Sequence, residues 1–227
     1  MRNKLTAEFI GTFILVFAGT GAVMVNDITG ALGHTGVAIT FGFVIVALIY
    51  SFAHISGAHF NPAVTIAFYA MGEFDRKRVL PYIGAQILGG IVASLTLCFL
   101  LQENFNHLSD VSYLGATLPH GSVTQSFGFE FLLAFILMLV ISASAVHGKA
   151  TKDFAGIAIG FTVGLEAMFA GPITGASMNP ARSIGPAIVS GHYEHLWLYI
   201  VATILGALLA AVIFVKLIHA DKEKGGL

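Results

Sequence analysis

Apolar residues dominate the chain in six long stretches, over residues 5–25, 35–54, 79–101, 127–147, 154–170 and 196–219. Each is about the length that carries a helix across a bilayer, roughly twenty residues. Two shorter apolar segments, 61–70 and 179–190, follow the second and fifth stretches. Each opens on Asn-Pro-Ala: Asn61, Pro62 and Ala63 in the first, Asn179, Pro180 and Ala181 in the second. Asn is a favoured helix N-cap and Pro is favoured at the first helical position, so each triplet starts a helix. Neither helix is long enough to span a bilayer alone. The pattern predicts an all-α membrane protein of six transmembrane helices plus two re-entrant half-helices.

The two halves repeat. Ile55-Ser-Gly-Ala-His-Phe-Asn-Pro-Ala-Val64 returns as Ile173-Thr-Gly-Ala-Ser-Met-Asn-Pro-Ala-Arg182. Ala7-Glu-Phe-Ile-Gly-Thr-Phe-Ile-Leu-Val16 resembles Phe129-Glu-Phe-Leu-Leu-Ala-Phe-Ile-Leu-Met138. Gly36-Val-Ala-Ile-Thr-Phe41 resembles Gly156-Ile-Ala-Ile-Gly-Phe161, and Tyr82-Ile-Gly-Ala-Gln-Ile-Leu-Gly89 resembles Tyr199-Ile-Val-Ala-Thr-Ile-Leu-Gly206. All four elements of each half are paired at an offset of about 120 residues. Three spans per repeat give the halves opposite orientations, an inverted repeat over about 5–101 and 127–219 within a single domain, 1–227. Half-helices at equivalent positions of two such repeats point to a site at the midplane.

Charge agrees with a membrane setting. Only 10% of the 227 residues are charged, against about 25% in soluble domains. A net charge of −1 gives no reason to expect nucleic acid. The single Cys98 leaves no intrachain disulfide and fits a reducing or redox-neutral setting. Met1-Arg-Asn-Lys4 precedes about twenty apolar residues without a clean cleavage site, which predicts a retained first span rather than a signal peptide. Arg2, Lys4, Arg76, Lys77, Arg78, Lys149, Lys152, Lys216, Lys222 and Lys224 all fall on one side of this arrangement. The positive-inside rule makes that side, with both termini, cytoplasmic. Loops 26–34, 102–123 and 191–195 carry no Lys or Arg and are expected outside.

Arg182 is the one cation off this pattern, at a place where the first repeat has Val64. A cation near the membrane interior is costly and marks a functional position; the competing reading is a loop arginine reaching headgroups. Two half-helix N-termini meeting at mid-membrane present unsatisfied N–H groups and partial positive charge, which repels cations. Asn61 and Asn179 are expected to aim amide donors into the gap, engaging the oxygen of a passing water and breaking a proton wire. The segments leading in, Gly57-Ala58-His59 and Gly175-Ala176-Ser177, are expected to be extended. Irregular backbone at this depth is tolerated where it lines a wet cavity, so their carbonyls are expected to line a pore.

The doubled Asn-Pro-Ala, Ala7-Glu8-Phe9, Ile55-Ser-Gly-Ala-His59 and Ala181-Arg182-Ser183 resemble the aquaporin, or major intrinsic protein, family over essentially the whole chain. The resemblance implies a six-span right-handed bundle, one pore per subunit of a homotetramer, and passive flow of water or small neutral solutes. It carries over a filter of Phe41, Ala167, Ala176 and Arg182. Strict water channels resemble Phe/His/Cys-or-Thr/Arg there and glycerol facilitators Trp/Gly/Phe/Arg. This chain matches neither, and without the His its opening is expected to be wider and less polar opposite Arg182. Ser183 and Ala187 look like the water-channel group. The run Ala170-Gly-Pro-Ile-Thr-Gly-Ala-Ser-Met-Asn-Pro180 resembles plant nodulin-like intrinsic proteins, some of which pass metalloid acids. Water leads on this comparison, in a plasma or inner membrane, with glycerol, urea or metalloid acids as the alternative.

Buried acids in a membrane can relay protons or hold structure. Glu8 and Glu130 are equivalent in the repeat, and the resemblance implies that both pin the re-entrant loops. Glu166 has no acidic counterpart; it neighbours Ala167, but a helix turns it about 100° away, and a bond to the second loop near Arg182 or a place in the outer vestibule is the competing reading to a bland one. His59 is expected to anchor its loop, with gating on protonation as the competing reading, and His54 to be a packing histidine. Gly11, Gly84, Gly89, Gly90, Gly164 and Gly206 are expected where helices approach closely. A proton- or ion-coupled transporter is the rival class, with a scaffolding membrane protein behind it. No metal-ligand cluster, nucleophile–base spacing or phosphate loop suggests an enzyme, and no cofactor or metal is expected.

Overall fold

The computed structural model describes residues 1–148, 150 and 152–223, with side chains described as far as residue 216. Lys149 and Lys224 therefore lie outside the described residues, as does the side chain of Lys222. Eight helices make up the body. They are α1 (Arg2–Thr29), α2 (Gly33–Ser56), α3 (Pro62–Ala70), α4 (Arg76–Leu101), α5 (Val123–Ile141), α6 (Ala155–Thr174), α7 (Pro180–Ser190) and α8 (Leu196–Glu223). Six of them, α1, α2, α4, α5, α6 and α8, are long and apolar enough to cross a membrane. The half-helices α3 and α7 have 9 and 11 residues. At 1.5 Å per residue the two together reach about 30 Å, the thickness of a hydrocarbon core.

Several helices run past the apolar boundaries, because caps rather than hydropathy end them. Asp75 accepts a hydrogen bond from the Lys77 N–H and starts α4 three residues before its apolar stretch. Ser122 does the same for α5 through Gln125. Left-handed Gly30 and Gly175 close α1 and α6. Beyond α5 the chain continues through a π-helical turn, Ser142–Val146.

Packing follows the repeat. Helix α1 lies against α4 and α2, and α5 lies against α8 and α6, as the equivalent pairs require. Helices α2 and α6, themselves equivalent, pack on one another. Each half-helix crosses over: α3 packs on α8 and α7 on α4. Glycines permit the closest crossings. A side chain at Gly89 would strike the Phe9 carbonyl of α1, and one at its counterpart Gly206 would strike the Phe131 carbonyl of α5. Large apolar side chains such as Phe43, Leu80, Phe99, Phe161 and Leu165 stand exposed on the periphery, as suits contact with lipid or with another chain.

Candidate functional site

The two half-helices meet N-terminus to N-terminus, and their asparagines tie them together. Asn61 and Asn179 are extended N-caps, each with its Oδ1 accepting from the N–H two residues on, Ala63 and Ala181, at 2.9 Å. Their amide groups reach across. Asn61 Nδ2 donates to the Met178 carbonyl and Asn179 Nδ2 to the Phe60 carbonyl, both at 2.8 Å. One hydrogen of each amide is thus spent on the opposite loop, and the other remains available at the cavity that both residues line. The sequence reading placed both donors in the gap and did not foresee this cross-tie.

The entering loops, expected to be extended, instead turn through left-handed backbone at Gly57-Ala58 and Gly175-Ala176. Ala58, Phe60, Ala176 and Met178 all have positive φ, from 41° to 56°, and Gly57 and Gly175 have φ of 93° and 82°. Four non-glycine residues in the left-handed region, at two equivalent pairs of positions, store strain that the surroundings must overcome. Buried carboxylates supply the restraint. Glu8 accepts from the Ser56 hydroxyl (2.7 Å), the His59 and Phe60 N–H groups (3.0 and 2.8 Å) and the Gln86 amide (2.8 Å). Glu130 accepts from the Thr174 hydroxyl (2.7 Å) and the Ser177 and Met178 N–H groups (2.8 and 2.9 Å). Tyr82 and Tyr199, another equivalent pair, donate to the Ser56 and Thr174 carbonyls.

The two loops then differ. His59 bonds Thr65 through Nδ1 (3.1 Å) and stacks on Phe68, with ring centroids 4.6 Å apart. At the equivalent places Ser177 and Ser183 share a hydrogen bond of 2.6 Å, continued to Thr117 at 2.8 Å.

Two cavities flank the site. One of 260 Å³ opens toward the end that carries Lys152 and is lined by Gly57, Ala58, His59, Ala176, Ser177 and both asparagines, among others. The other, of 530 Å³, lies under the segment 109–120 and is lined by Ala167, Gly175, His34 and Gly115, among others. Phe41 and Arg182 line both, so the cavities meet at that pair. Phe41 reaches this place because Gly19 of α1 leaves room for its ring. Arg182 is 3% exposed. Its Nη1 donates to the Gly115 carbonyl at 2.7 Å, and its Cζ lies 5.1 Å from the Phe41 ring centroid. Its Nε has no partner. Glu130 is within electrostatic range of the guanidinium.

Gly115 is a residue the sequence reading missed. Ser112, Tyr113, Leu114 and Gly115 have φ of 47°, 48°, 64° and 72°, a left-handed run that costs about 1–2 kcal/mol for each non-glycine residue. Leu114 is fully buried, the Ser112 hydroxyl bonds Asp27 at 2.6 Å, and Tyr113 stacks on His192. These contacts hold the run that presents the Gly115 carbonyl to Arg182. Nothing in the hydropathy of segment 102–123 signals it. Glu166 takes neither of its competing places. It is buried, it lines neither cavity, and neither carboxylate oxygen has a hydrogen-bond partner. Helix α6 turns it about 100° from Ala167, away from the lumen.

A family model described as major intrinsic protein matches residues 1–214. The chain belongs to the major intrinsic protein family. Its relatives include aquaporin NIP3-1 of Arabidopsis thaliana, 50% identical over 212 residues, 92% of this chain and 65% of that protein. Nodulin-26 of Glycine max is 45% identical over 221 residues, 97% of this chain and 79% of that protein. The chain thus spans just under two thirds of the first relative's length. Among solved structures, the aquaglyceroporin from Plasmodium falciparum superposes with a TM-score of 0.87 at 27% identity, covering 99% of each chain. Membership of the major intrinsic protein family makes this chain a membrane channel protein rather than an enzyme.

Proposed function

We propose that the protein is a passive channel for water that also admits small neutral solutes, with its selective step at Phe41, Ala167, Ala176 and Arg182. The observation that carries this reading is the meeting of the two cavities at Phe41 and Arg182, with Ala176 lining one side of the junction and Ala167 the other. Two of the four walls are methyl groups. They leave a lumen wider and less polar than a histidine or a second donor would. Charge is opposed by the Arg182 guanidinium and by two half-helix N-termini aimed at one point. The remaining amide hydrogens of Asn61 and Asn179 engage the oxygen of a water there, so the water cannot accept from the next in line and proton hopping is interrupted.

A second reading, a facilitator for glycerol, urea or metalloid acids, draws on the same two alanines. The name of the aquaglyceroporin favours it. The whole chain, 1–227, forms one channel domain in this reading. The basic end faces the cytoplasm with both termini, in a plasma or inner membrane. The exposed apolar flanks suit a homotetramer with one pore in each subunit.

The test is stopped-flow light scattering on proteoliposomes across water, glycerol, urea and boric acid, with proton and ion conductance measured on the same vesicles. Fast water flow without conductance is expected, with smaller solute fluxes. Solute uptake that follows a proton or sodium gradient would overturn the channel reading in favour of a coupled transporter.

A further inference from the structure

The sixth helix carries Pro172 two residues before its C-terminal end. Proline has no N–H, so the Met168 carbonyl loses the i+4 donor that a regular helix supplies. A side chain from another helix takes that place. His34, in the first turn of α2, brings its Nε2 to 2.6 Å from the Met168 oxygen. A carbonyl can only accept, so Nε2 carries the proton. Gly171 makes room for the ring, since a Cβ there would sit 2.7 Å from His34 Cε1.

The contact joins the two helices that carry two walls of the constriction. His34, Ala38 and Phe41 follow one another at i, i+4 and i+7, along one face of α2, and all three line the 530 Å³ cavity. Met168 directly follows Ala167, which lines that cavity from α6. Beyond Pro172 the chain turns through left-handed Gly175 into Ala176. The weakened last turn of α6 therefore joins two residues of the proposed filter, and the histidine bond ties it to the helix that carries a third.

We propose that His34 is a positioning residue that fixes the width of the constriction, by capping the carbonyl that Pro172 leaves without a donor and so binding the Ala167 wall to the Phe41 wall. The proposal rests on the filter reading above. Both the neutral Nε2–H tautomer and the imidazolium donate from this nitrogen, so the tie does not depend on one charge state. Loss of the donor frees the end of α6 and lets the larger solute through more readily than before.

The experiment compares glycerol and water permeability of the full chain in proteoliposomes for His34→Ala, Pro172→Ala and the double variant. In Pro172→Ala the new backbone N–H serves the Met168 carbonyl within its own helix. His34→Ala alone is expected to raise the glycerol-to-water ratio at least severalfold, and to change it little in the Pro172→Ala background. The two sites then show a coupling that independent sites lack. Should His34→Ala fail to insert, Gly171→Ala displaces the imidazole with the histidine in place and should shift the ratio the same way. An equal shift in both backgrounds overturns the tie, because it reports only lost bulk in the vestibule. A lower melting temperature with an unchanged ratio also overturns it. Ala167→His on the parent chain separates the two readings. If it lowers the ratio while His34→Ala does nothing, the tie fails and the filter stands; if neither moves it, the filter reading itself fails.

Discussion

The Arg182 guanidinium stands over the Phe41 ring, its Cζ 5.1 Å from the centroid, where the two cavities join. One of its nitrogens is bound to Gly115 and another, Nε, has no protein partner. A buried donor without a partner costs about 1–3 kcal/mol, so a polar oxygen passing this point is favoured. Arg182→Val removes the charge and all of the guanidinium donors, and matches Val64 of the first repeat. It should admit bulkier solutes or cations while the bundle stays folded. A variant with the parent's solute profile and no proton leak would show that Arg182 does not set selectivity.

Width is tested from the other two walls. Ala167 and Ala176 are nearly buried, at 7% and 5% exposure, and line the lumen on either side of the Phe41–Arg182 pair. Ala167→His with Ala176→Thr adds bulk and polar groups on both sides. Glycerol and urea uptake should fall severalfold more than water flow in the same vesicles. Equal loss of all three would place these alanines away from the narrowest point.

The carboxylates that hold the loops make a prediction about stability. Glu130 accepts two backbone N–H groups and a hydroxyl, with both oxygens engaged. Glu130→Gln replaces one acceptor by a donor that faces a donor, leaving at least one buried N–H unserved at about 1–3 kcal/mol. Glu8 serves four donors, so Glu8→Gln should cost at least as much. Melting of the purified variants in detergent measures both. Glu166→Gln, which breaks no hydrogen bond, should melt close to the parent.

Six spans, two half-helices and their inverted repetition were legible because each is a property of local pattern: length of apolar run, an Asn-Pro start, a recurring segment. The arrangement of α3 on α8 and α7 on α4 follows from the same repetition. What escaped is what depends on two distant segments at once. Gly115 bonds Arg182 only because a left-handed run at 112–115 is held against Asp27 and His192, and no periodicity encodes that. The cross-tie of Asn61 to Met178 depends on backbone with positive φ at Ala58, Phe60, Ala176 and Met178, residue types that give no local sign of it. Tyr82 and Tyr199 could have been singled out, since they are the paired polar residues that open the equivalent spans α4 and α8. Glu166 neighbours Ala167 in sequence, but a helix turns consecutive residues about 100° apart, and it lines neither cavity.

Mercurial reagents offer a readout of the lumen by chemistry alone. The only thiol, Cys98, is partly buried beside the cluster of Met24, Leu97, Val111 and Leu114, and it lines neither cavity. A thiol must be reachable to bind mercury, and a partly buried place among apolar side chains opposes that. Water flow of the parent should therefore be largely insensitive to mercury. Ala176→Cys places a sulfur against the cavity that Arg182 also lines. The guanidinium nearby favours the thiolate, so this variant should be blocked by mercury and recover on adding a competing thiol. Strong block of the parent, abolished by Cys98→Ser, would mean that the C-terminal half of α4 lies on the water path and that the lumen described here is not the one that conducts.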